Sequence, residues 1–528
     1  MDGINNEVLI IQLNKITLMK RISLQVIINN STGIIILMLM IFLASFGVFA
    51  QTETAKLLET IETYPDSLPL HQQYIKESGL SEEALEDQYN IWLKKFSKSA
   101  TVPFALGEAY YRKELPAAKL LLLKALERDP ALDKAYFYLW IDGERWGDFE
   151  KSREYLLRAK EIAPDNPNYA FYYAGTFSNT NPKKYRELSL EVAHKFPKSE
   201  RGAQSLYWLA ERSSDKVEKK EYYELLKNNF PPETYSWSSS GMYSYFDLLL
   251  EESSKEAVLL AQNMVDISTS ERDLKTWKAQ MIVAKNVNKA KDYMAQDNSK
   301  EAMALLENTT PLRWSNAKDL ILLLKAKAMD KSGKTKLAYD ALKMSYAKSP
   351  EKRVKKVLKK YGLKLNKSLK DIENDIWFVR DTISEPATDF TLKNYLTPGK
   401  TTLSDLKDKV ILLTYWFPGC GPCRGEFPHF QSVVDKFEGQ DLVYLGINIV
   451  PDQNDYVIPF MKSSGYSFIP LEDYPDRDKG NLDNRGAAPM NFIIDRNGNL
   501  MFSNFRTNEH NQDVLEEMIA SLLNRDNG

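Results

Sequence analysis

The chain of 528 residues carries two cysteines, Cys420 and Cys423, inside the sequence WFPGCGPCRGEFPHF. Two thiols three positions apart can cycle between a dithiol and a disulfide, and such a couple exchanges with other disulfides when one sulfur is a thiolate. Where the pair lies at a strand-to-helix junction, the first sulfur sits over unpaired N–H groups and the positive end of the helix dipole, and both favour the thiolate. That order makes Cys420 the nucleophile. Cys423, one helical turn further on and less exposed, is then the thiol that resolves a mixed disulfide. Pro422 stiffens the turn at a position whose N–H has no helical partner to lose. Zinc fits poorly, because there is no second cysteine pair and His71, His194, His429 and His510 are scattered along the chain. A purely structural bridge would close almost no loop and stabilise little. The couple needs neither a metal nor a bound cofactor.

The flanking sequence supplies the elements that must position the pair. Val410 to Trp416 (VILLTYW) and Leu442 to Ile449 read as buried strands. Asn491 to Ile494 and Leu500 to Ser503 read as two more, joined across the hairpin turn Asp495-Arg496-Asn497-Gly498. Helical segments alternate with these strands, and a last helix is expected from about Gln512 to Leu523. The pattern is that of a small α/β domain over one sheet, placed at 386–528 after a linker at 371–385.

From about Ser384 the chain resembles the thioredoxin-like thiol-disulfide oxidoreductases, within them the TlpA/ResA-like branch that overlaps redoxin and AhpC/TSA sequences. EPATDFTLKNYLTPGKTTLSDLKDKVILLTYWFPGCGPCRGEFP matches the branch's opening hairpin, first core strand, active-site turn and helix; GAAPMNFIIDRNGNLMF matches its proline loop and final hairpin. The resemblance covers about 140 of the 528 residues. It implies a cis Ala488-Pro489 bond that brings this loop beside Cys420, where Ala488 backbone groups can pair with an incoming peptide. It also implies that Trp416 shields the sulfurs, and that Pro418, Gly419, Gly421 and Pro422 shape the active-site turn. Thr414 stands where thioredoxin has a buried Asp, so Glu426, which matches a glutamate near the active site of ResA-like proteins, becomes the candidate acid/base. The other reading of Glu426 is a solvated carboxylate favoured by the helix dipole. Many relatives carry a larger residue at the position of Gly419, so a wider approach to Cys420 is expected. NDYVIPFMKSSGY and PLEDYPDRD match the extra helix and strand of this branch.

The region 51–370 is rich in Leu, Ala, Lys, Glu and Tyr at three- and four-residue spacing, which predicts helices. Pro130, Pro164, Pro197 and Pro231 are 34, 33 and 34 residues apart, each after an apolar helical run, a period that means helix-turn-helix repeats. Tyr136, Leu139, Leu156 and Ala159 fall where a tetratricopeptide repeat packs its two helices, so the segment from about 99 to 234 resembles that family. Trp140 replaces the family's Gly, and the third unit is one residue short. Between 235 and 300 the repeat is hard to read; KEAMALLENTTP and KLAYDALKMSYAKSP resume it. The fold class expected is therefore multidomain, an all-α tetratricopeptide-like array followed by an α/β thioredoxin-like domain. Such an array leaves a concave surface suited to a protein or peptide partner.

Residues Gly33 to Ala50 form an uncharged apolar run behind Lys15, Lys20 and Arg21, with Val48 and Ala50 small before Gln51. This predicts a signal peptide at 1–50 cleaved after Ala50, with an uncleaved signal anchor as the alternative and Met19 as a second candidate start. The location expected is the periplasm or cell envelope. With 70 Lys+Arg against 72 Asp+Glu and a net charge of −2, nothing marks a nucleic-acid partner.

Together these readings predict an exported thiol-disulfide oxidoreductase, a reductase of client protein disulfides fed by a membrane thiol electron donor. The Gly-Pro dipeptide favours reduction, since thioredoxin lies near about −270 mV and the oxidant DsbA near about −120 mV. A redoxin-type thiol peroxidase is one alternative, weakened because Phe417 stands where peroxidatic sites have Thr. A repeat-based interaction protein with a redox-sensing domain is the other.

Overall fold

The protein is described from a computed structural model, which covers residues 54–313, 315 and 317–525. The expected leader and its cleavage point lie outside the described residues. Among the described residues, no helix is long and apolar enough to cross a membrane.

The described residues divide into two compact units, one within 54–113 and 117–135, the other within 114–116 and 136–525. In the first, α1 (54–63), α2 (Leu68–Glu77), α3 (Glu82–Lys95), α4 (Thr101–Arg112) and α5 (Ala118–Arg128) follow one another. Ser81 caps α3 by accepting the Ala84 N–H, and the buried His71 ring bonds the Tyr89 hydroxyl at 2.9 Å and meets Trp92 edge-on.

Helices continue with α6 (Asp133–Trp146), α7 (Phe149–Ile162), α8 (Pro167–Gly175), α9 (Pro182–Lys195), α10 (Glu200–Arg212) and α11 (Lys216–Asn229). Pairs begin at Asp133, Pro167 and Glu200, so the proline period marks real helical hairpins. Asp148, Asn181, Ser199 and Asp215 cap helices with their side chains, and Ala159, Ala203 and Ala210 are buried where helices approach closely. The stretch that was hard to read contains α12 (Ser236–Glu252), α13 (Ser254–Ile267) and the 25-residue α14 (Glu271–Ala295), whose length breaks the period. Then come α15 (Ser299–Glu307), α16 (Lys318–Lys331), α17 (Thr335–Lys348), α18 (Lys352–Lys364) and α19 (Leu369–Ile383).

Helix α19 corrects the expected linker at 371–385. Ser368 and Asp371 form a capping box, and Ile372, Ile376 and Val379 recur at helical spacing and bury themselves in the same cluster as Tyr339, Leu342 and Leu358. The compact units likewise part near 113–136 and not near 370. The reason is contact between the later helices and the α/β domain.

That domain carries one sheet in the order β1-β8-β7-β4-β5-β6-β2-β3. Its strands are β1 (Glu385–Pro386), β2 (Thr391–Asn394), β3 (Lys400–Thr402), β4 (Val410–Trp416), β5 (Leu442–Asn448), β6 (Ile469–Glu472), β7 (Met490–Ile494) and β8 (Asn499–Phe505). Its helices are α20 (Gly421–Lys436), α21 (Asn454–Ser464) and α22 (Gln512–Leu523). Every residue of β4 is buried; the strand runs parallel to β5 and antiparallel to β7, which explains a run that is apolar or aromatic apart from Thr414. Helices α17–α19 of the helical region meet this domain at α22. Tyr346 donates to Glu517 at 2.8 Å, Lys355 pairs with the same carboxylate, and Lys352 reaches Asp513 at 2.8 Å. The buried Arg380 donates to the Ser521 hydroxyl and lies over the rings of Trp377 and Phe502.

Candidate active site

Strand β4 ends at Trp416, the chain turns through 417–420, and α20 begins at Gly421. Cys420 is the N-cap of α20: its N–H donates to the Phe417 carbonyl at 2.9 Å, and its sulfur accepts the Cys423 N–H at 3.2 Å. The two cysteines are joined as a disulfide with Cα atoms 5.3 Å apart. Pro422 occupies the first helical turn and, with Gly421, is exposed, whereas Cys420 is only 2% exposed and Cys423 fully buried. The helix N-terminus thus faces the first sulfur with a backbone donor already aimed at it.

Trp416 is buried in the cluster that contains both cysteines, with its ring against Phe427, Phe460 and Phe468. The Ala488-Pro489 peptide is cis and leads directly into β7, and Ala488 packs against that same cluster. Trp416, Cys420, Cys423 and Ala488 are therefore brought together by β4, α20 and the entry to β7.

Glu426 lies one turn beyond Cys423 on the inner side of α20 and is buried, not solvated. One carboxylate oxygen accepts the Arg506 guanidinium at 2.6 Å and the Thr507 N–H at 2.9 Å; the other accepts the Asn491 amide at 3.0 Å. The Asn491 carbonyl in turn accepts the Thr414 hydroxyl at 2.8 Å. A connected polar path therefore crosses from β4 through β7 to the acid on α20. Nearby, the buried Tyr444 hydroxyl makes no hydrogen bond, and burial first, then the charge of Glu426, pushes it well above its usual range, so it stays protonated.

The expected wider approach at Gly419 is not what the structure has. The space a side chain would take there is filled by Gln453, whose amide atoms lie 2.9–3.0 Å from the position of an added Cβ. The Gln453 carbonyl accepts the Gly419 N–H at 2.6 Å, and its NH₂ donates to Glu114. Pro418 is buried beside it, its carbonyl accepting the Arg424 guanidinium at 2.8 Å. Gln453, Arg424, Asn491 and Arg506 had no signal in the sequence, since each acts through a partner distant in the chain or through the backbone.

Residues 383–503 match the AhpC/TSA family. The thiol-disulfide oxidoreductase ResA of Bacillus subtilis is 33% identical over 135 residues, which is 25% of this chain and 72% of the relative. ResA of Geobacillus kaustophilus is 30% identical over 116 residues, 22% of this chain and 65% of that protein. Among solved structures, one described as a protein disulfide isomerase of Bacteroides thetaiotaomicron is 29% identical, covering 27% of this chain and 89% of its own, with a TM-score of 0.24. With a Cys-x-x-Cys disulfide at the head of α20 and the 33% identity to ResA over 72% of that protein, the chain belongs to the ResA-type thiol-disulfide oxidoreductases.

Proposed function

We propose that this thiol-disulfide oxidoreductase is exported to the cell envelope and reduces disulfides in client proteins, with its helical repeats docking partners. The observation that carries the chemistry is the place of Cys420, whose sulfur caps α20 and takes the Cys423 N–H. In the reduced protein the Cys420 thiolate attacks one sulfur of a client disulfide. A new S–S bond forms, the client S–S bond breaks, and the first client sulfur leaves as a thiolate. The Cys423 thiolate then attacks the Cys420 sulfur, the second client thiolate departs, and the enzyme is left as the Cys420–Cys423 disulfide. Two electrons pass to the client, whose thiolates take up protons.

Glu426, tied to Asn491 and Arg506, is the candidate to hold or accept the proton of Cys423. Ala488 offers its backbone to the client chain. Regeneration requires two electrons from a dithiol donor at the membrane; the Gly421-Pro422 dipeptide supports the reducing direction. The contacts of α17–α19 with α22 tie the helices to the redox domain, so a partner bound on the helices would be kept beside that domain.

Substrate trapping tests the reading. Cys423→Ala should leave Cys420 in stable mixed disulfides with envelope proteins, identifiable by mass spectrometry, and the wild type should reduce insulin while consuming negligible peroxide. Expression without any trapped protein, or peroxide turnover that exceeds insulin reduction, would reject it.

A further inference from the structure

A polar chain, buried at both ends and partly exposed at Glu114, runs from the helical hairpin α6–α7 to the redox turn. Arg145 on α6, its side chain 7% exposed, pairs with Glu114 at 2.9 Å; Glu114, which groups with the second compact unit, accepts from Gln453; and Gln453, with no exposure, accepts the N–H of the residue preceding Cys420. Three further contacts hold the same hairpin against the domain. Arg424, the residue after Cys423, faces Glu144 at 3.5 Å, and Tyr456 on α21 donates to Asp142 at 2.9 Å. Phe149 meets Phe460 edge-on and packs against the cluster that contains both cysteines.

Exchange requires an incoming sulfur to reach a cysteine sulfur. At 2% exposure Cys420 offers little room for the backbone of a protein client. Two side chains bond the backbone of the redox turn, Arg424 at Pro418 and Gln453 at Gly419, and the Gln453 NH₂ donates outside the α/β domain, to Glu114. A neutral amide held by a carboxylate, itself held by an arginine, is a charge-assisted arrangement stronger than a neutral pair. Loss of Glu114 removes the charged acceptor of the buried Gln453 amide, and loss of Arg145 frees Glu114, whose side chain is 36% exposed, to turn toward solvent.

We propose that Gln453 is a positioning residue through which the helical region keeps the approach to Cys420 closed, so that a bulky disulfide reaches the sulfur only when the Glu114–Gln453 contact opens. The selectivity follows from size. Small reagents enter by local fluctuation, whereas a polypeptide needs the hairpin to release the turn, and a partner that binds the helices with the hairpin lifted would raise reactivity by shifting that population. The proposal rests on the exchange chemistry proposed above, but its test does not.

The test is the alkylation rate of Cys420 in the reduced full-length chain, located by mass spectrometry, using iodoacetamide and the same iodoacetyl group carried on a folded protein. Glu114→Gln and Gln453→Ala are expected to raise the rate of the bulky reagent about tenfold or more, the scale set by losing a hydrogen bond to a charged group, with a much smaller change for iodoacetamide. Gln453→Met keeps the volume, removes both hydrogen bonds and should behave as Gln453→Ala does. Each variant is compared at its own thermal midpoint offset, and the unmodified chain supplies a second measurement independent of folding of the variants: its bulky-to-small rate ratio should rise with low urea before global unfolding. A ratio unchanged by the substitutions, or a wild-type ratio flat across low urea, overturns the proposal. Because alkylation needs no client reduction, a protein that fails to trap clients can still pass or fail here.

Discussion

Glu426 keeps a carboxylate inside the α/β domain by surrounding it with donors from Arg506, Thr507 and Asn491. Glu426→Gln keeps the shape and turns one acceptor oxygen into a donor that meets a donor. The expected stability loss is about 1–3 kcal/mol, the scale of a buried donor left unsatisfied, read from urea unfolding. If the acid also moves the Cys423 proton, the same variant slows exchange by about a hundredfold and shifts its pH dependence, a contribution typical of general acid–base groups. A stability loss with an unchanged pH–rate profile would leave Glu426 a purely structural acid. At this scale the cysteines and Pro422 were legible from type and spacing, and Glu426 from the family resemblance. Asn491 and Arg506 were not: a strand residue and a loop residue meet α20 only after β7 and β8 have paired around β4.

The helix α22 shows how an element registers its surroundings. Its Glu517 is opposed by burial, yet the hydrogen bonds from Lys355 and Tyr346 hold its pKa below the usual carboxylate range. A lowered folded-state pKa means that the stabilisation is present above the unfolded value of about 4.3 and is lost as pH falls through the lower folded value. Wild type should therefore exceed Glu517→Gln in urea stability at pH 7 by up to about 1 kcal/mol, screened because the pair is partly exposed, and the difference should shrink as the pH drops below about 4.3 and vanish below the folded value. A difference that persists at low pH would place the contribution in packing and not in charge. Periodicity located α22 and most of the helices, because apolar spacing acts over a few residues. It missed α19, where Pro386 and the turn residues around DTISEPATD suggested a linker while Ile372, Ile376 and Val379 were already spaced for a buried helical face.

In the whole molecule the α6–α7 hairpin is built to lie against the α/β domain. Gly147 adopts φ +72°, and a Cβ there would sit 2.9 Å from the Phe460 carbonyl oxygen. Gly147→Ala therefore meets both a left-handed backbone and a close approach, and should cost about 1–3 kcal/mol, measured as a lower urea midpoint. An unchanged midpoint would show that the hairpin leaves the domain at little cost. The same variant should also raise the bulky-reagent rate at Cys420, since it loosens the hairpin without touching Gln453.

By itself the sequence determined the redox couple, the strand-turn-helix that presents it, and the repetition of helical pairs, because each depends on residues a few positions apart and on turn chemistry that neighbours set. Only the tertiary structure decided what closes the approach to Cys420 and where the compact units part. The Glu114–Gln453 and Asp142–Tyr456 contacts join residues 339 and 314 positions apart, and hydrogen bonds at such separations leave no period for a sequence to display.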